Sequence, residues 1–235
     1  MKTMKKWVAL LCVVALCFSL ASCMLSGKKE NQTTPNQQEN KQPAGKAETF
    51  VTLDINPSIE LTLDANGIVA SVYGANEDGQ ILLYEEAENI IGLTYEAAVE
   101  YITKLAADLD YLTVDTEQIR AFVTSVDEKD VAEIAEKLSA SIKAAAQEKG
   151  ITVSVTDEES LELVCDLAVL KEQYPDNAKI QALTAREYRL ALSLSEREGI
   201  SIVAAVEYDT EECIARINAA HDNKAGAIAR RRHLK

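Results

Sequence analysis

The chain has 235 residues, 47% of them hydrophobic and only 5% aromatic, so its core must be built from Ile, Leu, Val and Ala rather than from rings. Acidic residues outnumber basic ones 38 to 24, a net charge of −14 that repels phosphate backbones and excludes general nucleic-acid binding. The two histidines, His221 and His233, both lie near the C-terminus and leave little material for a zinc site or a Ser-His-Asp triad. No cofactor or metal site is expected.

The N-terminus reads as an address. Lys2, Lys5 and Lys6 precede an apolar run from Trp7 to Leu20, 14 residues long, too short for a bilayer span of ~20 residues but right for the core of a signal peptide. Leu20-Ala21-Ser22-Cys23 closes it and resembles the lipobox of bacterial lipoproteins. That resemblance implies residues 1–22 as signal and Cys23 as the lipidated first mature residue, with the protein on the outer face of the membrane. The plainer alternative is a secretory signal cleaved elsewhere, with Cys23 a bystander. Residues 23–48 are Ser, Gly, Lys, Asn, Gln, Thr and Pro with almost nothing apolar, a composition that predicts a disordered tether with ends ~25–30 Å apart.

A folded unit is predicted from Thr49 to Thr156. Val51, Leu53 and Ile55 alternate with Thr52, Asp54 and Asn56. Beyond Pro57 the alternation resumes, with Ile59, Leu61 and Leu63 opposite Ser58, Glu60 and Thr62. Asp64-Ala65-Asn66-Gly67 signals a hairpin whose Asn-Gly supplies positive φ, and Ile68 to Tyr73 returns. Asn76-Glu77-Asp78-Gly79 reads as a second turn, followed by a short extended or helical piece from Ile81 to Tyr84. Thr94 caps a helix with Ala98, Val99, Ile102, Leu105, Ala106 and Leu109 on its apolar face. Ile119 to Val126 is a strand, Asp127 caps a helix that Gly150 terminates, and Ile151, Val153 and Val155 alternate as a last strand. The order predicts an α+β fold: a small mixed or antiparallel sheet with helices on one face.

Residues 157–225 carry only helical signals and read as a C-terminal helical subdomain. Asp157 is a candidate cap for a helix through Cys165 and Leu170. Thr184-Ala185-Arg186-Glu187 is a capping box for a helix ending at Gly199, and Asp209 starts another through Cys213, Ile214 and Ile217. Both Cys165 and Cys213 fall in apolar helical patterns and are expected to be buried and unpaired, although an exported pair could form a disulfide. Residues 226–235 form a basic tail with Arg230 to Arg232, a solvated end or a contact for anionic lipid.

One segment is more specific. Asp54-Ile55-Asn56-Pro57-Ser58-Ile59-Glu60-Leu61, with Asn66-Gly67 and Asn76-Glu77-Asp78-Gly79 following, resembles the extracytoplasmic middle domain of RsgI-type anti-sigma factors. The resemblance covers roughly Thr49 to Thr156. It implies a sensing domain that severs its own chain once, here between Asn56 and Pro57, with the pieces remaining associated. Proline lacks an N–H, so attack by the Asn carboxamide on its own carbonyl leaves scission as the available cyclisation. Asp54 and Glu60 are candidates to move protons or orient the amide. Asn before Pro is also ordinary turn chemistry, and proline in a strand marks an edge or bulge. In place of that family's cytoplasmic segment and transmembrane helix this sequence has a signal and Cys23. The reading is therefore a non-enzymatic, membrane-anchored envelope lipoprotein, at most single-turnover, partnered by membrane lipid through Cys23. The alternative is an uncleaved structural or binding lipoprotein for an envelope protein or polysaccharide. A conventional hydrolase lacks any phosphate loop, His cluster or nucleophile elbow.

Overall fold

The computed structural model describes residues 44–158 and 160–220; the expectations for the signal, Cys23, most of the tether and the basic tail fall outside them. Five strands form one mixed sheet in the order β3-β2-β1-β4-β5. They are β1 (Ala47–Asp54), β2 (Ser58–Asp64), β3 (Val69–Gly74), β4 (Gln118–Ser125) and β5 (Ser154–Thr156). β1 is central, antiparallel to β2 on one side and β4 on the other, while β5 runs parallel to β4. The chain starts the sheet two residues earlier than Thr49: Ala47 is buried, and the Gly45 amide donates to Asp64 Oδ2 at 2.6 Å.

Period-two alternation sends Val51, Leu53, Ile59, Leu61, Leu63, Ile119, Ala121 and Val123 to one face. There they meet Val99, Ile102 and Ala106 of α3 (Tyr95–Asp108) and Leu138, Ile142 and Ala146 of α4 (Glu128–Glu148). Thr94 and Asp127 cap these helices as their sequences predict, and Gly150 follows α4 with φ 75°. The piece after β3 is helical: α1 (Glu77–Leu82) begins at Asn76, and α2 (Ala87–Ile90) follows. What reads as a turn at Asn76 to Gly79 is thus a helix start, because the Asn76 side chain accepts the Gly79 amide at 2.8 Å. In the β2–β3 turn only Gly67 has positive φ, 73°, and an added Cβ would lie 2.8 Å from the Tyr95 ring. β5 is shorter than the alternation predicts; Ile151 and Val153 fill the core ahead of it.

The main departure is on the second face. The element order predicts helices on one side only, and Thr52, Glu60 and Thr62 lie on the other. Instead a second helical layer covers them: α5 (Leu161–Gln173), α6 (Ala178–Ala182), α7 (Ala185–Glu198), α8 (Ile202–Ala205) and a last helix over residues 210–220, α9. Phe50 and Ala47 join Leu163, Leu167, Leu170, Ile180, Leu190, Leu194, Ile214 and Ile217 in its core. Glu60 and Thr62 are tolerated there because they are paired, whereas the buried Thr52 hydroxyl has no hydrogen-bond partner among the described residues. Thr62 Oγ1 lies 2.7 Å from Ser71 Oγ and 2.9 Å from Asn218 Oδ1. The capping box at Thr184 and the left-handed Gly199 (φ 67°) bound α7 as predicted. α5 starts at Ser160 rather than at Asp157, with the Ser160 hydroxyl accepting the Leu163 amide at 3.2 Å. Cys213 is buried, its thiol pushed up to about 11 by burial, whereas Cys165 faces outward and is exposed. The helix-periodic pattern around Cys165 misleads because α5 is apolar on both faces: Leu163 and Leu167 point inward, Leu161, Val164 and Val169 outward.

Candidate functional site

The Asp54 to Ser58 segment is the hairpin joining the central strand to β2. Asp54 and Ser58 are the last cross-strand pair, and the Ile55 amide donates back to the Pro57 carbonyl at 2.9 Å, leaving Asn56 at the apex. Asn56 is exposed with φ 57°, the left-handed region that disfavours L-residues by about 1–2 kcal/mol and that Asn tolerates best after glycine. Pro57, by contrast, is buried.

Every polar group of Ser58 is held. Its amide donates to Asn76 Oδ1 at 3.0 Å, its carbonyl accepts the Ala75 amide at 2.9 Å, and its hydroxyl donates to Asp54 Oδ1 at 2.5 Å. Asn76 therefore serves two partners through one oxygen, capping α1 and gripping the residue after the proline. Gly79 makes that approach feasible: a Cβ there would stand 2.3 Å from the Ser58 carbonyl oxygen and 3.0 Å from Gly74 Cα. Asp78, the remaining residue of this turn motif with a contact, accepts from the Tyr111 hydroxyl at 3.3 Å.

From the second face, α7 holds the carboxylates on either side of the turn. Arg189 Nη2 touches both oxygens of Asp54, at 2.8 and 2.9 Å, with both side chains about one-fifth exposed (22% and 21%). Glu60 Oε2 accepts from the Ser193 hydroxyl at 2.6 Å and from Arg197 Nη2 at 2.8 Å, in a pair whose side chains are each 4% exposed. The Arg197 guanidinium also lies 4.3 Å from the centroid of the Tyr73 ring. Asp54 and Glu60 thus share the face that α7 covers. Both lie in ion pairs, Asp54 beside the Asn-Pro bond and Glu60 two cross-strand pairs deeper, opposite Thr52.

These groups border a cleft of about 420 Å³ that Asn56, Asn76, Arg120 and Glu196 also line. Partial burial, with the nearby Glu60 charge, pushes the Glu196 carboxyl above the usual range, against the pull of Arg189 and Arg197. Sequence reading finds Asp54, Asn56, Pro57 and Glu60 and misses Arg189, Ser193, Arg197 and the gripping role of Asn76. The available signal is spacing: residues 189, 193 and 197 form one stripe on a helix, next to the buried Leu190 and Leu194. Chemically the arrangement can clamp a strained Asn-Pro turn from both ends and supply carboxylates and guanidinium groups beside it.

The family model for the anti-sigma factor RsgI-like central domain matches residues 48–193. The match continues past Thr156 through α5 and α6 into α7, so it takes in Arg189 and Ser193 as well as the hairpin. No curated protein matches the chain.

Proposed function

Because this chain belongs to the RsgI-like anti-sigma factor central-domain family, which gives it a part in sensing and signal transduction, we propose that it is an envelope module that cuts itself once at Asn56–Pro57 and holds the two pieces together. The Asn56 carboxamide nitrogen attacks the Asn56 carbonyl carbon, the bond to the Pro57 nitrogen breaks, and the proton lost by the carboxamide passes to that nitrogen. The products are a succinimide-ended N-terminal piece and a C-terminal piece starting with a free proline amine. Asp54 is the neighbouring carboxylate for the proton relay, and Glu60 braces the strand behind it.

The observation that carries this reading is the place of the bond in the sheet. Asn56 is the apex of a tight hairpin with left-handed backbone, and the strand ahead of it is the central one. A break there opens the hairpin but leaves β1 laddered to β2 from Thr49 to Asp54 and to β4 over the same residues. Phe50, Val51 and Leu53 stay buried on both faces. Separation then requires stripping a central strand, an event suited to reporting tension or displacement.

Lipid attachment at Cys23 and placement on the outer face of the membrane belong to the same proposal. They rest on the lipobox-like Leu20-Ala21-Ser22-Cys23 and the polar stretch after it. No helix among the described residues is long and apolar enough to cross a membrane. Denaturing gels of protein purified under native conditions test the scission: two bands are expected from the natural chain and one from Asn56→Ala. A single band from both would remove self-cleavage and leave the uncleaved binding module.

A further inference from the structure

We propose that Arg189 is a positioning residue for the scission, so that the cut waits for the C-terminal helical layer to dock. This rests on the self-cleavage reading above. The turn that must be held runs from Asp54 to Ser58, and its two ends are tied side chain to side chain by the Ser58 hydroxyl on Asp54 Oδ1. That tie is only as fixed as the Asp54 carboxylate, which is the last residue of β1 and about one-fifth exposed. The group that fixes it comes from α7, 135 residues further along the chain. One nitrogen, Arg189 Nη2, reaches both carboxylate oxygens, which holds the carboxylate group in place at the end of β1 beside Ser58.

Elsewhere around the turn the clamps are local. Asn76 and Ala75 act from the strand end and helix start next to β2, and Ile55 and Pro57 bond within the turn. Arg189 is the contact by which the second helical layer reaches the carboxylate that ties the turn. Glu60, on β2, is held by the same helix through Ser193 and Arg197, so α7 grips both strands of the hairpin. Until α7 packs, Asp54 lacks the Arg189 contact and has beside it Arg120, its cross-strand neighbour on β4, so that end of the turn is held less firmly. An intramolecular cyclisation is sensitive to such looseness, since misplacement of the reacting groups by ~1 Å can slow a reaction about 100-fold.

The test follows the full chain as it is made in a cell-free reaction and folds, sampling the ratio of intact to cleaved chain on denaturing gels over time. Thermal melts of each variant accompany it. Arg189→Met is expected to slow cleavage at least 10-fold while retaining a cooperative melt. Because a single nitrogen makes both contacts, Arg189→Lys keeps a donor and is expected to recover most of the lost rate, a rescue that a purely structural role would not produce. Ser58→Ala removes the other end of the tie without stranding a charge, and is expected to slow cleavage even if Arg189→Met fails to fold. Natural-rate cleavage in Arg189→Met or in Ser58→Ala overturns the proposal. So does an Arg189→Lys chain that melts normally and cleaves as slowly as Arg189→Met. A natural chain that stays intact throughout overturns the self-cleavage reading itself, which separates that failure from the others.

Discussion

Gly79→Ala sets two ordinary rules against each other. Gly79 lies inside α1, where replacing glycine with alanine favours a helix by roughly 1 kcal/mol. The structure opposes this, because the new Cβ would sit 2.3 Å from the Ser58 carbonyl oxygen and 3.0 Å from Gly74 Cα. Both obstacles are backbone and cannot rotate away, so α1 must lift by close to 1 Å. Overpacking of this kind costs about 1–3 kcal/mol. The lift also stretches the bonds from the Ser58 amide to Asn76 (3.0 Å) and from the Ala75 amide to Ser58 (2.9 Å), each contributing about 0.5–1.5 kcal/mol. Set against the helix gain, the net loss is about 3 kcal/mol, or roughly 6–12 °C in Tm for a domain of this size. Circular-dichroism melts and urea titrations of the natural and variant chains measure it. A Gly79→Ala protein that melts at or above the natural one would refute the claim that α1 is pressed onto the Asn56–Pro57 hairpin.

Three further outcomes follow from other parts of the molecule. Arg197→Met strands the Glu60 carboxylate in a pair only 4% exposed, and should lower the unfolding free energy by about 3–5 kcal/mol in urea titrations. Burial tends to raise the Asp64 carboxyl, but the Gly45, Ile68 and Asn66 amides outweigh it and hold the group below the usual carboxylate range. Asp64 therefore adds stability above the ordinary carboxylate range, and that share disappears as pH falls through the lowered value. Asp64→Asn should flatten this acid limb and cost about 1.5–3 kcal/mol near neutrality through the lost charge-assisted bond to Gly45, as read from urea midpoints across pH. Cys165 is exposed and Cys213 buried, so a thiol reagent with peptide mapping should label Cys165 in the native protein and Cys213 only after denaturant is added.

The first helical layer and the sheet were legible because each obeys a single period. Val51, Leu53, Ile59 and Leu61 alternate, Val99, Ile102 and Ala106 recur at helical spacing, and Thr94 and Asp127 announce their helices by cap chemistry. The second layer was legible as helices but not as a cover for the sheet. Glu60 and Thr62 look like a solvated face, and their burial depends on Ser193, Arg197 and Asn218, more than 130 residues away. Pairing across such a distance leaves no local trace on the strand. The same reason hides Arg189 from a reading centred on Asp54. Asn76 was visible as part of a motif, but a cap and a turn share their residue types, and only the tertiary contact to Ser58 shows the second duty of its carboxamide.

The most direct test of the account is the mass and N-terminal sequence of the chains in one native, size-fractionated peak. The account predicts two chains eluting together. One begins at Pro57, and the other ends at Asn56 as a succinimide, so their masses sum to that of the uncut protein, or to one water more once the ring has opened. A single unbroken chain running through Asn56 and Pro57 after prolonged incubation of the folded protein would contradict it.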